Sequence, residues 1–275
     1  MKVSQANLPE ISTEYALSKE DIASYQRAGH IVLRSVLSAA EVSAYEPYIA
    51  AAVQNFTTEF RPLAERDTYA KAFLQIMNLW QRDEAVRRYV LAQRFANIAA
   101  DLMGVDAVRL YHDQALFKEP GGGITPWHQD EYYWPLDTDH TITMWMPLVD
   151  VTPEMGTLLF ASGSHHEGYL GDLPISDKSD ETFRQFVAQR GYTISPAPTM
   201  AAGDASFHSG WTLHTAPGNA TGVMREVMTV IYFADGARLT IPDHQNRAND
   251  LANWFPGLKP GDLAASPLNP QVSSR

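Results

Sequence analysis

The chain of 275 residues (30.6 kDa) fits one large domain or two small ones, and its hydrophobic fraction of 45% and charged fraction of 19% are typical of a globular protein with a real core. A formal net charge of -11, a pI of about 5.2 and the absence of any run of Lys and Arg argue against a nucleic-acid binder, which needs a basic face for phosphates. There is no cysteine, which excludes disulfides, Fe–S clusters, thiolate zinc sites and a cysteine nucleophile, so any metal must be held by nitrogen and oxygen.

The amino-terminal segment lacks the apolar stretch of a secretory signal peptide, and nowhere do about 18 apolar residues follow one another. We therefore expect a cytoplasmic protein that makes no membrane contact. Ser18, with Asp21 three residues later, predicts a helix start, and Gly29 is suited to end that helix. Residues 30–37 form a β-branched run that favours a short buried strand.

Helical composition dominates most of the chain between this strand and residue 104. Ser38 and Glu41 form a second helix start, which opens an Ala-rich stretch through Val53. A further helical region is predicted for residues 68–103. The first 104 residues are therefore expected to form a mainly helical support.

From Val105 the pattern changes to short runs of Val, Ile, Leu, Thr, Phe and Trp broken by Gly, Pro, Asn and Asp, which is typical of a β sandwich or barrel. Strands are predicted at residues 107–118, 125–128, 140–148, 157–161, 193–196, 205–208 and 225–234. We predict one domain, residues 1–275, that is mainly β with a helical amino-terminal part and has its β core at residues 105–235. A polar insertion at about 167–192 carries a short helix at 181–189, and residues 236–275 are predicted to be an irregular tail.

A candidate metal site lies on the predicted strand at residues 125–128. Because side chains alternate along a strand, His128 and Asp130 would point to the same face and could hold a divalent metal. One further imidazole would complete the facial triad of non-haem Fe(II) oxygenases, which leaves three metal positions open. His208 and His214 are both candidates and have the same strand parity, so alternation does not choose between them.

Arg225 begins the otherwise apolar strand predicted at residues 225–234. A charge in a buried run needs an anion to offset its desolvation, and the guanidinium fork is suited to a carboxylate. An organic dicarboxylate that binds the metal at one end and Arg225 at the other would fill this role. The alternative is that Arg225 is a surface residue at the strand end.

Aromatic residues follow the candidate ligands. Tyr132, Tyr133 and Trp134 precede Pro135 and are expected at the mouth of the β core, where they would favour an apolar or aromatic substrate. Trp145 is expected in the core, because aromatic residues of β proteins usually pack there.

Several motifs, in this order and spacing, resemble the phytanoyl-CoA dioxygenase (PhyH) family of Fe(II)/2-oxoglutarate-dependent oxygenases. The motifs cover most of the chain and lie at residues 25–33, 118–121, 127–130, 155–158, 162–165 and 203–225. The resemblance implies a double-stranded β-helix, a jelly-roll and cupin-like core packed against α-helices. Two turn positions depart from the family pattern, with Ser162 where proline is common and Met155 where asparagine often stands.

The resemblance also implies roles for individual residues. His128, Asp130 and His214 would ligate Fe(II), which favours His214 over His208, and Arg225 would bind the distal carboxylate of 2-oxoglutarate. Two further residues match positions that steady the co-substrate in the family, namely Thr157 and Gln114.

The expected activity is oxidation of a C–H bond in a small organic molecule, natural-product or lipid-like, with O₂ as oxidant and with release of succinate and CO₂. Because Asp130 is present, halogenation is not expected, since related halogenases replace this carboxylate with a small residue. Two alternatives remain open: a cupin-like binding protein without catalysis, and a zinc hydrolase that uses the same three ligands, with Glu131 as the one candidate base. The sequence leaves the substrate and the oligomeric state undecided.

Overall fold

Antiparallel β-sheets form the centre of the structure, a computed structural model that describes residues 8–274. Residues 1–7, where the sequence shows no apolar leader, lie outside this range. The described chain forms eleven strands, which are β1 (His30–Leu33), β2 (Leu74–Met77), β3 (Ala107–Phe117), β4 (Thr125–His128), β5 (Thr141–Pro147), β6 (Leu159–Ala161), β7 (Ile194–Pro196), β8 (Ala205–Ser209), β9 (His214–Ala216), β10 (Val227–Ala234) and β11 (Gln271–Ser274).

Seven α-helices accompany them over the same residues, namely α1 (Lys19–Ala28), α2 (Ala39–Phe56), α3 (Thr68–Ala72), α4 (Glu84–Val90), α5 (Gln93–Met103), α6 (Asp177–Arg190) and α7 (Gln245–Trp254). The predicted caps are present, because Ser18 and Ser38 each form a capping box and Gly29 ends α1 with φ 77°. None of the helices in residues 8–274 has the length and apolar character needed to cross a membrane.

The strands form a seven-stranded and a four-stranded sheet. The larger has the order β1-β8-β5-β10-β3-β11, with β2 also paired to β3, and the smaller has the order β4-β9-β6-β7. One face of the larger sheet packs against helices α2, α4 and α5 in a single apolar cluster. Alternate residues of β5 show the two faces: Met144 and Met146 join this cluster, whereas Thr143 and Trp145 line a cavity on the opposite face.

A bulge in β3 decides which of its side chains face that cavity. In the pairing with β10, Ile231 lies opposite His112 and Tyr232 opposite Leu110, so Tyr111 is an extra residue. Leu110 packs on the helical side, but beyond the bulge His112 and Gln114 line the cavity. If the same residues formed a regular strand without a bulge, the side chains of Leu110, His112 and Gln114 would all lie on one face.

Three parts of the predicted secondary structure are wrong. The strand after α1 ends at Leu33, and residues 74–77, predicted to be helical, form β2 instead. Phe73 ends α3 in an extended conformation, and pairing of β2 with β3 outweighs local helix preference. The predicted irregular tail, residues 236–275, contains α7 and β11, whose pairing with β3 is non-local and invisible in short sequence windows.

The junction between α2 and β10 predicts a pH-dependent stability. Glu226 is half-buried beside Glu46, and burial, together with this neighbour, raises the pKa of Glu226 from 4.5 to about 7. Because the folded pKa is the higher one, the ionised form destabilises the fold, and the free energy of unfolding falls as pH rises from 4.5 to about 7. After allowance for solvent screening, Glu226→Gln is expected to stabilise the protein by about 1 kcal/mol above neutral pH.

Thermal unfolding of wild type and Glu226→Gln on the two sides of this pH range measures the effect. The gain in melting temperature should be present above pH 7 and shrink toward pH 4.5. Glu181→Gln, which removes an exposed carboxylate of α6, is the matched control and should change little. An equal gain at both pH values would show that charge is not the cause.

Candidate metal and co-substrate site

Three predicted ligands meet where the small sheet faces the cavity. His128 ends β4 and His214 begins β9, and the two residues lie directly opposite each other in the strand pairing. Asp130 does not belong to the strand, because a short 3₁₀ turn, Asp130–Tyr133, starts there. The prediction that Asp130 lies on the strand was therefore wrong, yet ligand atoms of all three residues lie within 4.8 Å of one another.

Backbone carbonyls orient both imidazoles. The Nδ1 of His128 lies 2.7 Å from the carbonyl oxygen of Pro126, and the Nδ1 of His214 lies 2.9 Å from that of Thr212. Since a carbonyl only accepts, each Nδ1 must carry the proton, which leaves each Nε2 lone pair free for a metal. Burial, together with the nearby imidazole of His128, lowers the pKa of His214 well below its usual value and keeps it in the neutral form that binds metals.

The carboxylate of Asp130 is held from its outer side. The hydroxyl of Thr143 donates to Oδ2 at 2.8 Å, and the Nε2 of His208 lies 3.2 Å from the same oxygen. Oδ1 faces the other two ligands, at 3.4 Å from the Nε2 of His128 and 3.8 Å from the Nε2 of His214. His208 thus lies beside the three-residue group and contacts its carboxylate.

The structure explains why strand alternation could not choose between His208 and His214 as the third ligand. The two residues lie on β8 and β9, which belong to different sheets, so strand parity does not relate them. Both line the same cavity, but only His214 belongs to the group whose ligand atoms converge.

Thr143→Val tests the support of Asp130. Loss of the hydrogen bond to Oδ2 is expected to weaken Fe(II) binding by about 10–100-fold, the usual effect of removing a group that orients a ligand. Anaerobic Fe(II) titration measures the affinity. Thr58→Val, at an exposed position, is the control, and unchanged affinity in Thr143→Val would show that Asp130 needs no such support.

Arg225 is buried at the other end of the cavity. It lies two residues before the start of β10, in an isolated bridge with Lys118, and it is 1% exposed, so it is not a surface residue. Its guanidinium lies over the ring of Trp145 and donates to the carbonyl oxygen of Gly156, while Nε has no hydrogen-bond partner among the described residues. Burial lowers the pKa of Arg225 to about 9.

Lys118 is a second buried cationic side chain, whose importance the sequence did not reveal. It is 0% exposed, and its amino group donates to the carbonyl oxygen of Gly123. Burial and, to a smaller extent, Arg225 lower the pKa of Lys118 to about 6. Within residues 8–274 no carboxylate forms an ion pair with either side chain. Arg225 is thus a buried cation that an anionic ligand would neutralise.

The two residues expected to steady the co-substrate differ in position. Gln114 lines the cavity, and its side-chain oxygen accepts a hydrogen bond from Gln75 at 2.8 Å. Thr157 is not among the residues that line the cavity, and its hydroxyl donates to the carbonyl oxygen of Ala197 at 3.0 Å. The structure therefore commits the hydroxyl of Thr157 to the backbone.

The aromatic residues expected at the mouth of the β core do not all line the cavity. Tyr133 and Trp134 line the cavity, whereas Tyr132 does not, and its hydroxyl contacts Asp172 at 2.6 Å. Trp145, expected in the core, is buried but forms part of the cavity wall beside Arg225.

Sequence reasoning did not establish one further part of the cavity wall. It includes His112, which the β3 bulge turns inward, and side chains of α7 at one-turn spacing, which are Asn246, Asn249, Asp250 and Trp254. The polar character of this wall was hidden because α7 lies in the part of the chain predicted to be irregular.

Two antiparallel sheets bring a His-Asp-His group and a buried arginine without an ion-pair partner among the described residues into one cavity, and two imidazoles with one carboxylate are the donor set of the non-haem iron facial triad. The profile described as phytanoyl-CoA dioxygenase (PhyH) matches residues 25–227, and the chain belongs to that family.

Individual relatives agree with this assignment. The chain is 31% identical over 149 residues to methylphosphonate hydroxylase of Gimesia maris, a match that covers 54% of each chain, so it spans about half the length of that relative. It is 24% identical over 258 residues to ectoine dioxygenase of Sphingopyxis alaskensis, covering 85% of this chain and 81% of the relative. The solved structure of SnoK, a non-heme alpha ketoglutarate dependent carbocyclase from nogalamycin biosynthesis, superposes with a TM-score of 0.77 at 25% identity, covering 99% of this chain and 100% of SnoK.

Proposed function

We propose that this protein is an Fe(II)- and 2-oxoglutarate-dependent oxygenase that oxidises a C–H bond of a small organic molecule. The observation that carries the proposal is that one cavity, of about 340 Å³, contains both the converging ligands and the guanidinium of Arg225, which has no ion-pair partner among the described residues. The likeness to an alpha ketoglutarate dependent enzyme over nearly the whole chain supports it.

The donor set fits Fe(II). His128, Asp130 and His214 offer two imidazole nitrogens and one carboxylate oxygen, the facial set that leaves three metal positions open. Fe(II) held there would supply the redox chemistry for C–H cleavage by O₂, with 2-oxoglutarate consumed as co-substrate and converted to succinate and CO₂. The protein orients the ligands through the carbonyls of Pro126 and Thr212 and fixes the carboxylate through Thr143.

Arg225 would hold the distal carboxylate of 2-oxoglutarate. Its Nε has no partner within the described chain, and a dicarboxylate reaching from the metal would give it one and neutralise the buried charge. Gln114 lies on the same cavity wall and could contact the co-substrate, whereas Thr157 would act only through the backbone. We further infer that the two sheets are the two halves of a double-stranded β-helix, or jelly roll.

Relatives of named activity act on small molecules, among them methylphosphonate and ectoine. The cavity is of the size that binds such ligands. A natural-product or lipid-like substrate is our proposal for this chain, and the aromatic residues Tyr133 and Trp134 on the wall support it.

Glu131 argues against the zinc hydrolase. It is the carboxylate next to the ligands, but its side chain is 1% exposed and accepts a hydrogen bond from Thr141. Glu131 does not line the cavity, so it is out of reach of a substrate or of a water on a metal there, and burial raises the pKa of Glu131 well above its usual value.

Conversion of 2-oxoglutarate to succinate by the Fe(II)-loaded protein tests the proposal. We expect O₂-dependent succinate formation that Zn²⁺ does not support and that rises when the true substrate is added from a metabolite extract. Mass spectrometry of the extract should show a product changed by one oxygen or two hydrogens. A protein that binds Fe(II) but neither binds nor converts 2-oxoglutarate would instead be a cupin-like binding protein, and activity with zinc alone would indicate the hydrolase.

A further inference from the structure

The charge of the cavity differs between its two ends. Among the described residues that line it, Arg225 is the only one with a permanent positive charge. If 2-oxoglutarate occupies Arg225, as the proposed function requires, no cation of the wall is left for a substrate. The wall also contains Asp250, which lies on α7.

Two basic side chains close to the cavity, those of Arg247 and Lys118, make other contacts and do not line it. Arg247, on α7, donates through Nε to the carbonyl oxygen of Tyr132 and through NH1 to the carboxylate of Asp243 at 3.3 Å. Lys118 lies behind the ring of Phe73 and, with its pKa of about 6, is mainly uncharged at neutral pH. Neither side chain lines the cavity.

Two hydrogen bonds hold the carboxylate of Asp250, which can still accept further hydrogen bonds. Its Oδ2 accepts a hydrogen bond from the hydroxyl of Tyr111 at 2.7 Å, and Trp254 donates a second bond. A carboxylate has about four acceptor positions, so these two bonds leave it able to accept from a ligand. Burial raises the pKa of Asp250 to about 7, so it is ionised at slightly alkaline pH.

His112 is a second, independent indication that a ligand binds on this side of the cavity. Its side chain is 3% exposed and lines the cavity, and its Nδ1 has no hydrogen-bond partner within residues 8–274. Its ring lies 5.1 Å from that of Trp254, so it is on the same side of the cavity as α7. A buried polar atom without a partner is costly unless a ligand or water supplies one.

We propose that the side of the cavity formed by His112 and α7 is a substrate subsite for molecules without negative charge. Such a molecule would place an apolar or aromatic body against Trp134 and Trp254 and donate a hydrogen bond from a hydroxyl or amino group to Asp250. The proposal rests on the proposed function, because it assigns Arg225 to the co-substrate. It excludes small oxyanions such as phosphonates as substrates, since these would lie beside a carboxylate without a counter-ion.

A charge series of one shape tests the subsite. The probes are 2-naphthylmethanol, 2-naphthylmethylamine and 2-naphthoate, and the protein is loaded anaerobically with Fe(II) and 2-oxoglutarate at about pH 8, above the pKa of about 7 of Asp250. Quenching of tryptophan fluorescence, to which Trp134, Trp145 and Trp254 of the cavity wall contribute, reports binding without catalysis. The alcohol and the amine are expected to bind about tenfold or more tighter than the carboxylate, given one nearby charge of low screening.

Asp250→Asn should reduce the preference for the amine over 2-naphthoate, whereas Asp106→Asn, the same change at an exposed position before β3, should leave it as in wild type. Equal or tighter binding of 2-naphthoate to wild type overturns the proposal, as does failure of all three probes to bind, so it can be refuted even if a variant does not fold. Binding of 2-oxoglutarate is measured first by calorimetry. Its absence refutes the proposed function, whereas its presence with the wrong charge order refutes only the subsite.

Discussion

Arg225→Ala is expected to weaken 2-oxoglutarate binding by about 30-fold or more, because loss of one partner of a buried, hydrogen-bonded charge pair costs about 2–5 kcal/mol. The guanidinium is 1% exposed, and within residues 8–274 no carboxylate pairs with it. Fe(II) binding should remain, because Arg225 is not among the ligands. Calorimetry with the Fe(II)-loaded protein measures the change, and Arg225→Lys should recover only part of the affinity, since lysine lacks the planar fork.

Although Arg225→Ala should weaken co-substrate binding, it should increase the stability of the protein without ligand. Removing an unpaired buried charge, which also lies near Lys118, is expected to raise the melting temperature. Added 2-oxoglutarate should then stabilise wild type but not the variant. Arg27→Ala, which removes an exposed arginine of α1, is the control and should keep wild-type binding. Unchanged affinity in Arg225→Ala would mean that the co-substrate binds elsewhere.

His214→Ala is expected to abolish tight Fe(II) binding and to lower succinate formation by about 1,000-fold or more, because two protein ligands do not retain the metal as three do. Removing a buried neutral imidazole should leave the fold intact, which circular dichroism can check. Spectroscopy of the Co(II)-substituted protein reports the loss of a nitrogen ligand independently of activity.

A matched histidine substitution separates ligands from neighbours. His208→Ala should keep Fe(II) binding within about 10–100-fold of wild type, since this residue supports Asp130 from its outer oxygen. His166→Ala, at an exposed position, controls for the general loss of an imidazole and should have no effect. If His208→Ala loses the metal while His214→Ala retains it, the ligand assignment is reversed.

Much of the centre of the site could be predicted from the sequence because its chemistry is local. His128 and Asp130 are two residues apart, and a single arginine before an apolar strand indicates an anion wherever that strand is buried. Asp130 was identified for the wrong reason, since the chain leaves the strand after His128. The choice of His214 over His208 needed the family resemblance, because which of two histidines converges on Asp130 depends on how strands of different sheets face each other.

The substrate side could not be predicted, because its positions are set by contacts distant in sequence. His112 reaches the cavity through a bulge whose partner strand lies more than a hundred residues further along the chain. Asp250 is one of several polar residues in a stretch that resembles an irregular tail, and its burial depends on Tyr111 and Trp254. Thr157 was predicted from the family pattern but does not line the cavity. It matches a family position for a co-substrate contact, yet its hydroxyl donates a hydrogen bond to the backbone carbonyl of Ala197.

The bulge at Tyr111 has a consequence for comparisons among relatives. A homologue that lacks the extra residue would keep the pairing of β3 with β10 on both sides of this point, so its counterparts of His112 and Gln114 would still face the cavity. An alignment without a gap at this point would, however, equate a cavity-lining residue with one on the opposite face of the sheet. The cavity-lining residues of relatives should therefore be compared after separate superposition of β3 on each side of the bulge, since one inserted or deleted residue there shifts the sequence correspondence of the wall by one position.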